Sequence, residues 1–176
     1  MQIKFITGHT WAELLDLFEK KQIDVMPVLY RNKRREAFTL YTHPYHKGKL
    51  GVFTHEKGLK IKKLSDLLGK RVGIHKNNGA IPIVQETIPG IDLVEIASIE
   101  TLVKKLATRK LDAIVGNPLT FSYYAKENQI TRIQLAHYID MDAEDQSKTS
   151  FHIGVRNDYP ILHQILNKAV QVLRPA

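Results

Sequence analysis

The side chains best placed to do chemistry in this 176-residue chain are loop cations and amides, not paired acids. Arg35 closes the basic run Arg31, Lys33, Arg34 and Arg35. A guanidinium is a planar fork that grips a carboxylate through two parallel hydrogen bonds, so Arg35 is a candidate for holding a small acid. The alternative is that it is one more solvated cation of the run. Lys76, Asn77, Asn78 and Gly79 stand just ahead of a helix that starts near Ile81. Free backbone N–H groups and the helix dipole at such a place attract anions. Gly79 would permit close approach to the backbone, while Asn78 alone suffices to cap the helix. Asn117 precedes Pro118. Its amide can donate or accept without charge, and it also fits a plain N-cap.

Other chemistries find little support. There are no cysteines, which excludes disulfides, thiol nucleophiles and thiolate metal sites. Of the eight histidines, His43 and His46 lie three apart, while His55 and His75 stand alone. No HExxH pattern or tight ligand cluster accompanies them, so no metal is expected. Phosphate-loop, dinucleotide and nucleophile-elbow motifs are missing, and no acid pair is marked as catalytic by its spacing. Neither an enzyme activity nor a cofactor is expected.

The composition, 43% hydrophobic and 25% charged, is that of an ordinary globular chain. The formal net charge of +8 favours anionic partners, though the cations are spread along the chain, with a second cluster at Lys57, Lys60, Lys62 and Lys63. No apolar run is long enough to cross a bilayer, and the N-terminus has no secretory-signal pattern. The chain therefore reads as cytosolic or as a piece of a longer protein.

Periodicity supplies the elements that must position these residues. Ile3 to Thr7 alternates as a strand, and Trp11 to Lys20 has helical spacing with Thr10 as N-cap. Ile23 to Leu29 is a short buried strand, and Tyr30 to Arg35 a polar loop. Strands are expected at Lys49 to His55, Arg71 to His75, Asp92 to Ile96, Asp112 to Gly116, Arg132 to Ala136 and Phe151 to Val155. Helices are expected at Lys62 to Lys70, Ile81 to Thr87, Ser98 to Arg109 and Pro118 to Lys126. A final helix capped by Asp158 turns Ile161, Ile165, Leu166 and Val170 inward, and Met141 to Lys148 is a polar loop. Trp11, Phe53 and Phe121 fall on apolar faces and read as core. Alternating β and α elements define an α/β class with mostly parallel strands, whose ligands sit beyond the strands' carboxyl ends.

Four segments resemble the bacterial extracellular solute-binding proteins of the polar-amino-acid type. IDVMPVLYRNKRREAFTLYTHPY matches through Asp24, Pro27, Arg35, Thr42, Pro44 and Tyr45. LSDLLGKRVGIHKNNGA, KKLATRKLDAIVGNPLTFSYY and FHIGVRNDYPILHQILNKAV follow ungapped and in order. The Asp24 to Pro27 segment and Gly116-Asn117 with Ser122-Tyr123 give the closest flavour, that of the Venus-flytrap sensor domains of membrane-bound histidine kinases and related receptors. Departures are Asn32, Lys33, Arg34 in place of Thr-Pro-Glu, Asn117 where amino-acid binders often carry a ligand-contacting Asp, and no counterpart of the family's first strand and helix.

The resemblance implies a periplasmic-binding-protein type II-like fold: two lobes with mostly parallel sheets, flanked by helices and joined by a hinge of two crossings. Residues 1–46 with 150–176 would form the first lobe and 47–149 the second. It implies a ligand site at Arg35, Tyr30, Lys76, Asn78, Gly79 and Asn117. Tyr30 would line the cleft or pack as a loop aromatic, and an uncharged Asn117 argues against a standard α-amino acid. The implied function is an extracytoplasmic sensor that closes on an anionic or zwitterionic small molecule, as part of a receptor such as a histidine kinase or diguanylate cyclase. Its implied location is the periplasmic or extracellular side of a bacterial membrane, reached only through flanking segments, with a homodimer as one form. Rival readings are the solute-binding component of an ABC-type importer and a dehydratase-like enzyme on the same scaffold. A nucleic-acid binder using Arg31 to Arg35 ranks below these, and no nucleic-acid partner is expected.

Overall fold

The computed structural model describes residues 3–140 and 149–173. Its first helix, α1 (Trp11–Glu19), starts where side-chain chemistry dictates. The Thr10 N–H donates to Glu13 Oε2 at 2.7 Å and the Glu13 N–H to Thr10 Oγ1 at 3.3 Å, a reciprocal cap. Leu15 and Phe18 then bury one face of α1 with Ile23, Met26 and Leu29. Strand β1 (Val25–Leu29), a single-turn helix α2 (Lys33–Glu36) and strand β2 (Thr39–Tyr41) follow. The chain returns at its end as β8 (His152–Arg156), which runs between β1 and β2 and antiparallel to both.

The second sheet holds β3 (Gly51–His55), β4 (Val72–His75), β5 (Leu93–Ile96), β6 (Ala113–Gly116) and β7 (Ile133–Tyr138) in the order β5-β4-β6-β3-β7. Helices α3 (Ile81–Thr87), α4 (Ile99–Ala107) and α5 (Pro118–Glu127) lie between its strands in sequence. Every residue of β3 is buried, because it runs through the interior between β6 and β7. Two apolar clusters flank the sheet. One gathers Val52, Val72, Ile74 and Val115 with Ile83 and Val84 of α3. The other gathers Phe53 and Ile114 with Leu102, Leu106 and Phe121 from α4 and α5.

Two segments join the sheets, and they touch each other. The Tyr45 N–H donates to Phe151 O and the Phe151 N–H to His46 O, each at 2.9 Å. A Cβ at Gly48 would stand 1.7 Å from the Thr149 carbonyl oxygen, so only glycine fits there. The last helix, α6 (Pro160–Leu173), braces the first segment: His163 Nε2 donates to Tyr41 O at 2.9 Å, and Asn167 Oδ1 accepts from the His43 N–H at 2.7 Å.

Several expectations need correction. The strands are mixed rather than mostly parallel: β4 pairs parallel with β5 and β6, but β3 is antiparallel to β6 and β7, and the first sheet is antiparallel throughout. In the second sheet β3 alone runs against the rest: the chain enters through it with no crossover helix before it, whereas β6 and β7, joined through α5, share one direction on either side of it. Ile3 to Thr7 forms no strand, since alternation supplies a face but not a ladder partner, and Phe5 is 83% exposed. Arg35 lies in α2 rather than a loop, because Asn32 Oδ1 accepts its N–H at 3.0 Å and caps that turn. The Lys62 to Lys70 helix shrinks to a 3-10 turn, Leu64–Leu67. Asp158 does not cap α6; Arg156 donates to both its carboxylate oxygens at 2.8 Å. Leu166 is half-buried and Val170 buried as expected, but Ile161 and Ile165 are 72% and 55% exposed, because the three-stranded sheet is narrower than the helix's apolar face. The Met141 to Lys148 loop lies outside the described residues.

Candidate functional site

Both sheets present loops to a shared cleft. From the first come the end of β1, α2 and the N-terminus of α1; from the second come the loop after β4 and the β6–α5 junction. A cavity of about 140 Å³ opens between them, lined by Trp11, Val28, Tyr30, Arg35, His75, Asn78, Gly79, Ile99, Gly116, Asn117, Thr120, Phe121 and Phe151. Thus Tyr30, Arg35, Asn78, Gly79 and Asn117 converge on one space. Lys76 does not reach it; its N–H donates to Ile96 O at 2.9 Å and its side chain is exposed.

Arg35 is 5% exposed, a charge taken almost wholly out of water. Its Nη1 donates to Tyr30 O at 3.1 Å, and its Nη2 crosses the cleft to donate to Asn77 O at 2.7 Å. Burial pushes the guanidinium pKa down, because desolvation disfavours the charged form. Carbonyl dipoles offset that cost only in part, so an anion brought to the unused N–H groups would gain much of its binding free energy from the pairing.

Tyr30 is 9% exposed and its ring stacks on Phe151 with centroids 5.5 Å apart. Burial pushes its phenol up to about 12, against the opposing pull of a hydrogen bond from the Asn117 side chain. Tyr30 therefore stays a neutral hydroxyl at any physiological pH. Asn117 caps α5, its Oδ1 accepting from the Leu119 and Thr120 N–H groups at 3.0 and 3.2 Å, and it lines the same cleft as Tyr30.

The loop 76–80 uses most of its own donors. The Asn77 N–H goes to Glu95 Oε2 at 3.2 Å, Asn78 N–H to His75 O at 3.0 Å, and Ala80 N–H to Asn78 Oδ1 at 2.9 Å. Among the described residues, the Gly79 N–H is the one in this loop left for a ligand. A Cβ at Gly79 would lie 2.9 Å from Tyr30 Cβ and 3.0 Å from Arg35 Nη1. Gly79→Val should therefore prop the two sides apart, seen as a larger radius of gyration in solution scattering and a lower melting temperature, from a loss of about 1–3 kcal/mol of stability.

Sequence reasoning missed His75, Phe151 and Trp11 as cavity walls. Trp11 read as core through its spacing with Leu14, Leu15 and Phe18, yet it sits in the first turn, at the cleft end of α1. His75 Nε2 donates to Ala97 O at 2.9 Å, and burial pushes its pKa below 6.5 despite that bond. The folded state then binds this proton less readily than the unfolded chain. Stability from His75 is complete above about pH 6.5 and lost as pH falls toward the depressed folded value. Melting curves should show wild type losing stability on acidification below about pH 6.5, and His75→Gln losing less.

A larger cavity of about 460 Å³ lies behind Arg35, between α1, α2 and the start of α3. Two of its charged walls are paired, Asp16 with Lys20 at 2.7 Å and Glu19 with Arg34 at 3.3 Å, while Lys33 and Arg35 also line it. Among the described residues, no group of three or more His, Cys, Asp or Glu could hold a metal ion.

No protein-family model matches the chain. Over 170 residues, 97% of its length, the chain is 22% identical to the virulence sensor protein BvgS of Bordetella pertussis, and the match spans 13% of that protein. The crystal structure of the BvgS periplasmic VFT2 domain superimposes with a TM-score of 0.80, covering 94% of this chain and 68% of that one at 22% identity. A histidine kinase sensor domain with similarity to periplasmic binding proteins gives 0.80 over 93% of this chain and 69% of that one at 19% identity. The holo arginine-binding protein ArgBP from T. maritima gives 0.80 over 98% of this chain and 73% of that one at 18% identity. The chain thus has the periplasmic-binding-protein fold, and the proteins it matches are sensor and binding domains rather than catalytic ones. No helix among the described residues is long and apolar enough to cross a membrane.

Proposed function

We propose that this chain is the ligand-sensing domain of a membrane-bound receptor such as a histidine kinase, closing two lobes on a small molecule on the periplasmic or extracellular side of a bacterial membrane. The lobes are residues 1–46 with 150–176 and residues 47–149, and the paired segments around His46 and Phe151 are the hinge. The observation that carries the reading is Arg35: a buried guanidinium, bonded to carbonyls of both lobes, on the wall of the cleft between them.

The ligand is anionic or zwitterionic. Its carboxylate takes the remaining Arg35 donors and the Gly79 N–H, and its body lies against Trp11 and Phe151. Asn117 brings no negative charge, so an ammonium group gains less here than it would from an aspartate. The cavity suits a molecule of few heavy atoms unless the lobes part further. A ligand touching both lobes favours closure by its differential affinity for the closed form. Sequence similarity to a virulence sensor favours the receptor over an importer component.

A thermal-shift screen against small carboxylic acids and amino acids tests this. A ligand at about 100 times its Kd adds about 2.7 kcal/mol of stability, and at least one acid should raise the melting temperature by several degrees. A folded protein unmoved by every acid and amino acid would defeat the proposal.

A further inference from the structure

The second sheet gathers basic residues at its end away from the cleft. The registers fix this: Leu93, Val72, Ala113, Thr54 and Gln134 form one row across the five strands, next to that end. The loop leaving β3 there carries Lys57, Lys60, Lys62 and Lys63, all exposed. The segments entering β4, β6 and β7 add Lys70 and Arg71, Arg109 and Lys110, and Arg132. Opposite charges at this end are Glu56, Asp66, Asp92 and Asp112, with Glu86 and Glu127 in the last turns of α3 and α5. Asp66 accepts from the Lys62 and Lys63 N–H groups at 2.9 and 3.1 Å, and Asp112 and Arg71 are paired with each other at 2.7 Å. Cations at the C-termini of α4 and α5 complement helix dipoles, but the loop lysines have no helix end to serve. Among them stands Leu68, 43% exposed, just ahead of Lys70 and near Gly90 at the approach to β5.

We propose that this pole docks on an anionic lipid bilayer, with the loop lysines against the headgroups and Leu68 entering the acyl boundary. Charge complementarity carries the proposal, and an exposed leucine on a lysine-rich loop is a combination that peripheral membrane contacts use. Single-stranded nucleic acid fits less well, because residues 56–71, 109–112 and 131–132 contain no aromatic side chain on which a base could stack; duplex is an outcome of the test. The surface is independent of the cleft, which lies at the opposite ends of the same strands, so either proposal can fail without the other.

The test is co-sedimentation of the 176-residue chain with vesicles of phosphatidylcholine, with and without about one quarter phosphatidylglycerol. Each lysine brought to an anionic surface contributes about fivefold in affinity, so the double variant Lys60→Glu/Lys62→Glu should bind at least about 25-fold more weakly. Leu68→Ser should weaken binding about fivefold. Far-UV circular dichroism and melting curves confirm that both variants fold. Binding to the anionic vesicles alone, weakened tenfold or more on raising salt from about 0.05 M to about 0.3 M, is the expected result. Equal binding to neutral vesicles, no binding at low salt, an unaffected charge-reversal variant, or displacement from the vesicles by duplex DNA at equal charge would overturn it.

Discussion

Arg35→Ala will remove the melting-temperature rise given by an acidic ligand and will also lower the melting temperature of the free protein. Two losses combine. The guanidinium is the buried donor to Tyr30 O and Asn77 O, so truncation strips partners from two carbonyls and unties the cleft. Hydrogen bonds from a charged group contribute about 1.5–3 kcal/mol each. Relief of the guanidinium's own desolvation returns part of that, so a net loss of about 2–3 kcal/mol is expected. In a domain of this size that is roughly 5–10 °C. Ligand affinity should fall about 100-fold or more, as for loss of a buried charge partner. Arg35→Lys is the control: an ammonium keeps the charge but cannot span two carbonyls and a carboxylate in one plane, so it should rescue stability in part and binding hardly at all. A ligand shift that survives Arg35→Ala would show that the residue is only a latch.

Gly48→Ala is expected to be the most damaging single-methyl change in the hinge. The added Cβ would fall 1.7 Å from the Thr149 carbonyl oxygen, and the obstacle is backbone rather than a side chain that can swing aside. The Tyr45–Phe151 and His46–Phe151 bonds close by would have to lengthen or break. A cost of about 3 kcal/mol or more is expected, read as a lower urea midpoint with an unchanged slope. Wild-type stability in Gly48→Ala would show that the two segments do not approach each other this closely.

Much of this architecture is legible from local chemistry. Thr10 with Glu13, Ser98 ahead of α4 and Asn117 with Pro118 announce their helices, because a cap is decided within four residues. Short apolar runs announce β1, β4 and β6 equally well. What local pattern cannot carry is the identity of distant partners. The reversed direction of β3 depends on its pairing with β6 and β7, far apart in sequence. The outward turn of Ile161 and Ile165 depends on the width of a sheet built from three separate segments. The convergence of Tyr30, Arg35, Gly79 and Asn117 was anticipated from resemblance. The bond from Arg35 to Asn77 O was not, since a backbone carbonyl leaves no mark in the sequence. Trp11 shows the same limit: helical spacing gives its stripe, and only the position of the cleft shows that the first turn overhangs it.

The proposed ligand, a small acid, binds between the lobes at Arg35. An amide chemical-shift titration with an acid taken from the thermal screen tests it most directly, because it reports both sides of the cleft at once. The largest shifts are expected on Tyr30 and Arg35 on one side and on Asn78, Gly79 and Asn117 on the other, saturating together with one Kd. Shifts confined to α1 and the start of α3, around Asp16, Glu19 and Ile81, would place the ligand in the larger neighbouring cavity and contradict it.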